Sequence, residues 1–314
     1  MADTFTPING FLAGIYRSPG VLVGAVTKHQ LLLNPSFETG DLTSWTDDSV
    51  ATSTATATAL KGWEDRSYGV VMSDNGTNLC GISQITTLDA ALSAAQALTH
   101  RIIASVWVKF DSASDDAVLK VSALDAADGV LGTGSVTMIS SHPYYDAAAA
   151  GFGVWSYFSI AISAVELTKK VKVEIYSNAA AAQVWNIDNP SATIVEQVAG
   201  AFGQVVMPIG YDTEDVSTFA TAGTAGWRSV ATTLKKQSAI TFPEYWVNSE
   251  VMAAEKAAVT KVYIILWTQK ATKTQDRFEF WALVNGIEWA APVGEVQKGS
   301  VMITATGHIG YAHI

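Results

Sequence analysis

NPSFETGDLTSW, residues Asn34–Trp45, and WNIDNPS, residues Trp185–Ser191, frame a long series of short segments in which apolar and polar side chains alternate. Each frame joins turn-forming Asn, Pro and Asp residues to aromatic or β-branched ones, as strand ends commonly do. Short strands at regular intervals, with few helical signals among them, are typical of a two-sheet sandwich. The sequence therefore predicts an all-β sandwich that opens at the first frame and closes at the second.

The clearest strand between the frames is Arg101–Phe110 (RIIASVWVKF). Alternation puts Ile103, Ser105, Trp107 and Lys109 on one face of this strand and the remaining apolar residues on the other. The pattern alone does not decide which face is buried. Trp107 is therefore expected to face either the core or an open groove on the sheet.

The two frames resemble the opening phrase NPSFE-x-G-x-x-x-W and the closing strand IDDVSL of jelly-roll carbohydrate-binding modules of the family 4, 16 and 22 type, which are galactose-binding-like sandwiches. Four segments between the frames are similar to strands of that family in the same order: Ser67–Val70, Gly81–Gln84, Ser105–Lys109 and Trp155–Ser159. The resemblance covers residues 31–196. It implies a jelly roll whose first and last strands are neighbours, and it points to binding rather than catalysis, although this fold is reused widely outside glycan binding.

The flanking segments differ in composition from this central part. Residues 1–30 form an extended, Gly-rich and apolar arm, which we expect to pack on a neighbouring subunit or domain or to form local strands. Residues 197–226 have the composition of a connector, and residues 227–314 that of a second, smaller β-rich domain. The predicted organisation is thus an arm, a jelly roll, a connector and a C-terminal domain.

Three local sequence signals predict two helices and one tight turn in addition to the strands. Leu88–Leu98 is rich in alanine and predicts a short helix between strands, and Glu250–Ala258 is the strongest helix candidate after the jelly roll. Asn285-Gly286 is a strong signal for a two-residue hairpin turn. It predicts that Arg277–Val284 and Ile287–Ala290 pair with each other.

Aromatic side chains are the candidate ligand contacts, because the C–H face of a sugar stacks on an indole or phenol ring. The candidates are Trp63, Tyr68, Trp107, Tyr144, Tyr145 and Trp155. Tyr144 and Tyr145 lie in a loop and are the least core-like of them. Trp45 and Trp155 match core or near-core positions of the family.

The resemblance also implies a structural Ca²⁺ ion that ties the first strand of the jelly roll to the last. Glu38 and Asp188 match the family's glutamate and aspartate ligands, and carboxylate oxygens from distant parts of the chain suit this ion. Glu64 and Asp65 are candidates for a third carboxylate. The alternative is that Glu38 and Asp188 only make backbone hydrogen bonds at a turn and a strand end.

The sequence gives little support for an enzyme. None of the five His residues lies in an H-E-x-x-H motif, and nucleophile-elbow and phosphate-binding motifs are absent. The acidic pairs Asp115 with Asp116 and Asp125 with Asp128 lie in predicted loops without an apolar pocket. The single cysteine, Cys80, excludes an internal disulfide and is expected to be a small buried apolar residue.

Charge and hydropathy argue against nucleic acids and membranes as binding partners. The net charge is −10 and no basic stripe is present, which argues against nucleic-acid binding. No apolar run reaches the roughly 18 residues that a membrane helix needs, and the N-terminus does not resemble a secretory signal. We therefore expect a protein that is made in the host cytoplasm and not inserted into a membrane.

The function that the sequence favours is a non-enzymatic virion structural protein of a bacteriophage, of the capsid decoration or head/tail fibre type. Its arm and C-terminal domain would attach it to other virion proteins and to copies of itself, and its jelly roll would face outward toward surface polysaccharide. This expectation rests on analogy with phage jelly rolls. The alternative is a free carbohydrate-binding protein or an accessory module of a glycan-degrading system.

Overall fold

The structure is a computed structural model of the 314-residue chain. It describes residues 8–9, 13–18, 21–62, 68–112, 116–139, 155–177, 182–201, 204–205, 209–215, 230–237, 240–247, 261–267, 277–290, 298–305 and 310–312. Trp63, Glu64, Asp65, Tyr144, Tyr145 and the predicted helix Glu250–Ala258 lie outside these described residues. No helix in the described part of the chain is both long and apolar enough to span a bilayer.

The elements of the first half of the chain are short strands and one helix. They are β1 (Ile8–Asn9), β2 (Ala13–Arg17), β3 (Val21–Val23), β4 (Val26–Lys28), β5 (Thr46–Asp47), β6 (Thr54–Ala59), β7 (Tyr68–Asn75), β8 (Gly81–Thr87), α1 (Ala94–Thr99), β9 (His100–Phe110), β10 (Asp116–Leu124) and β11 (Val130–Ile139).

The second half contains strands only among the described residues. They are β12 (Trp155–Ser163), β13 (Lys170–Ser177), β14 (Ala182–Ala201), β15 (Gln204–Val205), β16 (Ile209–Asp215), β17 (Val230–Gln237), β18 (Ile240–Val247), β19 (Lys261–Trp267), β20 (Arg277–Ala290), β21 (Lys298–Ala305) and β22 (Gly310–Ala312).

The chain divides into two compact units. The first, which we call the sandwich unit, comprises Tyr16–Gln197, Thr274–Glu279 and Gly310–Ile314. The second unit comprises Met1–Ile15, Val198–Lys273 and Phe280–Ile309.

The sandwich unit contains two antiparallel sheets of five strands. The β9 sheet has the order β6-β7-β14-β9-β12, and the β10 sheet has the order β11-β10-β13-β8-β5. Their facing sides supply one continuous apolar core, which includes Val106 and Phe158 from the β9 sheet and Leu119 and Val173 from the β10 sheet. This arrangement confirms the predicted all-β sandwich, because two sheets bury their facing sides against each other.

The opening segment bridges both sheets. The backbone N–H of Leu31 donates to the carbonyl oxygen of Ala192 in β14 at 2.8 Å, and the Leu31 carbonyl accepts from the Thr86 hydroxyl in β8 at 2.8 Å. The Gln30 side-chain oxygen also accepts from the Ala192 N–H at 2.8 Å. The opening segment and the closing strand β14 are therefore neighbours, which agrees with the resemblance, although the opening segment is not itself a strand.

The opening frame itself is a series of tight turns packed on the core. Phe37 and Trp45 are buried, with ring centroids 5.7 Å apart, and the Trp45 indole N–H donates to the Asn34 carbonyl at 3.3 Å. Trp45 is thus a core residue, as predicted.

A β-bulge interrupts β14 between Asp188 and Ser191. Asp188 is paired with Trp107 of β9 and Ser191 with Ser105, so that β14 holds one residue more than its partner over this interval. Asn189 within the bulge has a positive φ of 53°. The extra residue shifts the positions that face the core by one, from Trp185 and Ile187 before the bulge to Ala192 and Ile194 after it.

The helix between strands is shorter than predicted. It covers Ala94–Thr99 only, and Ser93 caps it by accepting from the Gln96 N–H while the Gln96 side chain accepts from the Ser93 N–H. Leu88 and Leu92 lie outside the helix, and their N–H groups donate to the carbonyls of Lys169 and Thr168, respectively, at 2.9 Å each. The helix begins after Ser93 because the capping box satisfies the first backbone N–H groups there, and the preceding Leu88 and Leu92 are buried in the core.

The predicted hairpin at Asn285-Gly286 is wrong. Residues Arg277–Ala290 form one continuous strand, which pairs with β21 on both sides of this dipeptide, and the register shifts between Val284 and Gly286. Long-range pairing with β21 therefore outweighs the local turn preference, and the extra residue is accommodated as a bulge. The Asn285 side chain donates to the Thr304 hydroxyl across this pair.

The second unit is also built from antiparallel strands. β18, β21, β20 and β19 follow one another in a single sheet, and the end of β14 pairs with β18 from Ala199 to Ala201. β1 pairs with β15, and β16 pairs with β17.

Candidate binding site

The outward face of the β9 sheet carries the candidate aromatic residue Trp107. Val106 and Val108 of β9 are fully buried in the core, whereas Trp107 and Lys109 between and beyond them are partly exposed. Because side chains alternate along a strand, Trp107 points away from the core. Of the two orientations that the sequence allowed, the structure has the outward one.

Trp107 forms a ring pair with Tyr157 on the neighbouring strand β12. The two residues are partners in register, their ring centroids are 5.3 Å apart, and their planes are inclined by 55°. Tyr157 is partly exposed because its neighbour Phe158 is the residue that enters the core. Tyr157 is not among the residues predicted from the sequence, although the alternation in Trp155–Ser163 places it on the face opposite Phe158.

Trp155 lies on the same side of β12 as Tyr157 and is paired in register with Lys109. Trp155 is partly exposed at the first residue of β12, so it is not a fully buried core residue, although it matches a core or near-core position of the family. The outward face thus bears three aromatic residues and one ammonium group over two adjacent strands.

Strand β14 completes this face with two buried polar residues, Asp188 beside Trp107 and Asn186 beside Lys109. Asp188 is fully buried, and its Oδ1 accepts from the Asn189 N–H at 2.6 Å. Asn186 is 3% exposed, and its Oδ1 accepts no hydrogen bond within the described structure. A buried carbonyl oxygen without a donor lowers the stability of the folded protein by about 1–3 kcal/mol, which is the expected cost of the Asn186 oxygen.

A polar cavity of about 340 Å³ lies at the rim of the sandwich, where β7 and β9 end and β14 begins. We call it the rim pocket. Its lining includes Ser73, Asp74, Asp111, Ser112, Gln183 and Val184. The Asp111 N–H donates to the Val184 carbonyl at 3.3 Å, and the Asp74 carboxylate accepts from the Gly76 N–H at 2.7 Å. Both acidic residues are therefore tied to the ends of the strands.

The two predicted calcium ligands lie against the same part of the chain. Glu38 is exposed, and its Oε1 accepts from the Tyr68 N–H at 3.5 Å. Val70, two residues further along β7, is paired with Ile187, the residue before Asp188. Carboxylates in this neighbourhood fit a hard cation in chemical type. Within the described ranges no three His, Cys, Asp or Glu residues cluster as metal ligands, and Glu64 and Asp65 fall outside those ranges.

The loop after β6 is seated closely on the start of β7. A Cβ atom at Gly69 would lie 2.3 Å from the carbonyl oxygen of Lys61 and 3.2 Å from Cα of Gly62. Leu60, which precedes this turn, is 89% exposed and has a positive φ of 60°. Gly69 is therefore required for the close approach of this loop to the edge of the outward face.

The carboxylate Asp125, which the sequence placed in a loop, has a structural role in the turn between β10 and β11. Its Oδ1 accepts from the N–H groups of Ala127 and Gly129 at 2.7 and 2.8 Å, and Asp128 pairs with Lys170 at 2.7 Å. These contacts give Asp125 and Asp128 structural roles in the turn. Cys80 is fully buried as predicted, and this burial raises the pKa of its thiol.

No protein-family model matches the chain, and no curated protein matches it. Solved structures resemble it over about half its length. TmCBM61 in complex with β-1,4-galactotriose aligns with 54% of this chain and 100% of its own, with 16% identity and a TM-score of 0.37. The CBM22-1 xylan-binding domain of Xyn10C from Paenibacillus barcinonensis aligns with 53% of this chain and 95% of its own, with 16% identity and a TM-score of 0.36.

The enzymatically active domain of tailspike protein 4 from bacteriophage CBA120 is similar over 52% of this chain but only 21% of its own, with 12% identity and a TM-score of 0.40. At these identities the similarity concerns the β-sandwich fold alone.

Proposed function

We propose that the sandwich unit is a carbohydrate-binding module that holds a polysaccharide without cleaving it. The observation that carries this proposal is the Trp107–Tyr157 ring pair on the outward face of the β9 sheet. Two tilted aromatic rings on a rigid sheet form a platform for the C–H faces of sugar rings. Polar groups of Lys109 and Asn186 beside the platform suit sugar hydroxyls, which need both donors and acceptors.

Retention on immobilised neutral polysaccharides such as xylan, β-1,4-galactan and mixed-linkage β-glucan tests this proposal. Wild-type protein should be retarded on at least one of them, and Trp107→Ala or Tyr157→Ala should each weaken binding by about tenfold or more, since stacking on one ring contributes roughly 1–3 kcal/mol. Tyr176→Ala is the matched control, because Tyr176 is a partly exposed tyrosine of the β10 sheet. Equal loss of binding in the control, or none in either variant, would refute the proposed platform.

We propose that the module belongs to a virion structural protein of a bacteriophage, as a capsid decoration or head/tail fibre subunit. The combination of a sandwich with an apolar, Gly-rich N-terminal segment and a second β-rich unit supports this setting, by analogy with phage surface proteins. Its partners are then other virion proteins and further copies of the chain, which fasten the subunit while the sandwich faces outward.

Analytical ultracentrifugation separates this setting from that of a free carbohydrate-binding protein. A virion subunit should sediment as a symmetric oligomer or bind to purified particles. A stable monomer that is retained on polysaccharide through Trp107 would instead support the free carbohydrate-binding protein, or an accessory module of a glycan-degrading system.

We also propose that Glu38 and Asp188 contribute to a structural Ca²⁺ site. Support comes from the Glu38 contact to the start of β7 and from the position of Asp188 next to the Ile187–Val70 pair. An ion held here would join the opening segment to the closing strand and stabilise the long-range closure of the sandwich.

A further inference from the structure

The rim pocket lies at one end of the outward face that carries the aromatic platform. Asp111 follows Trp107 by four residues along β9, which corresponds to about 13 Å at the rise of an antiparallel strand. Lys109 points to the same side between them. The platform and the pocket are thus close enough to contact one short oligosaccharide.

The pocket is acidic, and its described lining has no compensating cation. Asp74 and Asp111 supply two carboxylates, whereas Ser73, Ser112, Gln183 and Val184 are uncharged. Asp74 is 5% exposed, so that its charge acts in a region with little water to screen it. Lys109 is a cationic group on the neighbouring outward face, beside the aromatic platform and two residues before Asp111.

The polar groups that line the pocket suit a ligand with hydroxyl groups. The carboxylates of Asp74 and Asp111 are acceptors, and sugar hydroxyls are donors that bind strongly to carboxylates. Asn186, two residues after Val184 on the same side of β14, lies outside this lining, and its buried Oδ1 accepts no hydrogen bond in the described structure. The cavity of about 340 Å³ falls within the size range of small-molecule pockets.

We infer that the rim pocket selects uncharged polysaccharides and rejects acidic ones. This inference rests on the proposed carbohydrate-binding function and adds the substrate class to it. Hydroxyls of a neutral sugar donate to Asp74 and Asp111, whereas a uronate or sulfate in the same position meets two like charges. The aromatic platform supplies affinity for either kind of chain, and the pocket supplies the discrimination.

The test compares one polysaccharide in two charge states. The probes are β-1,4-galactan and β-1,4-glucan oligosaccharides, each used as the neutral chain and after oxidation of its primary hydroxyls to carboxylates. Isothermal titration of the full chain should give affinity for a neutral probe at least about tenfold higher than for its oxidised form, and added salt should reduce this ratio.

Asp111→Asn is the diagnostic variant, because Asp111 is exposed and its substitution is expected to leave the fold intact. It should lower the ratio between the affinities for neutral and oxidised probes toward one, because one of the two repelling charges is removed. Asp128→Asn, which changes the net charge equally on the other sheet, should leave the ratio unchanged. Asp74→Asn supplies a second variant, with folding checked by circular dichroism because Asp74 is buried.

The outcomes distinguish the two proposals. Binding of a neutral probe that depends on Trp107, together with equal binding of its oxidised form, overturns the pocket inference and leaves the carbohydrate-binding function standing. An unchanged ratio in Asp111→Asn also overturns the inference. Absence of binding to every neutral probe, with no effect of Trp107→Ala, overturns both.

Discussion

The Leu31 N–H donates a hydrogen bond to the Ala192 carbonyl oxygen at 2.8 Å. The neighbouring Gln30 side chain also donates to the carbonyl of Pro190, which lies 160 residues further along the chain. The Leu31 contact joins the opening segment to the closing strand. Gln30 reinforces it, because its side-chain oxygen accepts from the N–H groups of Leu32 and Ala192 at 3.3 and 2.8 Å.

Gln30→Ala is expected to lower the free energy of unfolding by about 1–3 kcal/mol. The substitution removes the acceptor for two backbone N–H groups, and the Ala192 donor is then left unpaired in a partly buried position. Urea unfolding followed by tryptophan fluorescence measures the change. The exposed Thr87→Ala serves as the comparison, and a loss in Gln30→Ala no greater than in Thr87→Ala would show that the closure does not depend on this side chain.

Removal of calcium is expected to lower the melting temperature of the sandwich unit. An ion bound only by the folded state stabilises it by mass action, so a chelator should reduce the melting temperature and added Ca²⁺ should restore it. Glu38→Gln should abolish this sensitivity. An identical melting temperature with and without chelator in the wild-type protein would exclude the proposed site.

Asn186→Leu is expected to separate stability from binding. Replacement of a buried amide whose oxygen has no donor by an apolar side chain of similar size removes the desolvation cost of that oxygen, so the free energy of unfolding should rise by about 1 kcal/mol. The same variant should bind neutral oligosaccharides more weakly, because the acceptor is lost. Thermal unfolding and titration of one preparation measure both effects, and a variant that is less stable yet binds normally would contradict this role.

The ion pairs of Glu174 predict a pH dependence of stability. Burial raises the pKa of this carboxyl, but hydrogen bonds from Lys172 and Lys120 outweigh burial and hold the pKa below its usual 4.5. A carboxyl with a lowered pKa in the folded state stabilises it above the unfolded pKa, and this contribution is lost as the pH falls through the folded value.

Glu174→Gln should therefore be less stable than wild type by about 0.2–1 kcal/mol at pH 7, and the difference should vanish once the pH lies below the folded pKa. Glu166→Gln, at an exposed position, is the control. Urea titrations across this pH range provide the measurement. A difference that persists unchanged in acid would mean that packing, not charge, accounts for the effect.

The sequence correctly predicted the features that depend on the alternation of side chains and on the two framing segments, Asn34–Trp45 and Trp185–Ser191. The inward and outward faces of Arg101–Phe110 are as expected, because a period of two leaves only two assignments and the core selects one. The neighbouring positions of the opening and closing segments follow from the family resemblance. Both predictions agree with the structure because each depends on the pattern of many residues and not on one local signal.

Predictions from single local signals were less successful. Asn285-Gly286 favours a tight turn in isolation, but the pairing of Arg277–Ala290 with β21 decides its conformation. The Ala-rich segment after Leu88 becomes helical only beyond Ser93, because Leu88 and Leu92 gain more by entering the core. Tyr157 was missed because its contact with Trp107 comes from strand pairing, which a single sequence does not display.

The bulge at Asp188–Ser191 has a consequence for how β14 can vary. Two residues, Asn189 and Pro190, stand opposite the single residue Val106 of β9, so the core positions of β14 are odd-numbered before the bulge and even-numbered after it. Loss of one codon at Asn189 or Pro190 would leave a regular strand in which Asp188 still faces Trp107 and Ser191 still faces Ser105. Homologous sequences should therefore tolerate a deletion at this point, whereas a deletion in the regular part of the strand would exchange its interior and surface faces.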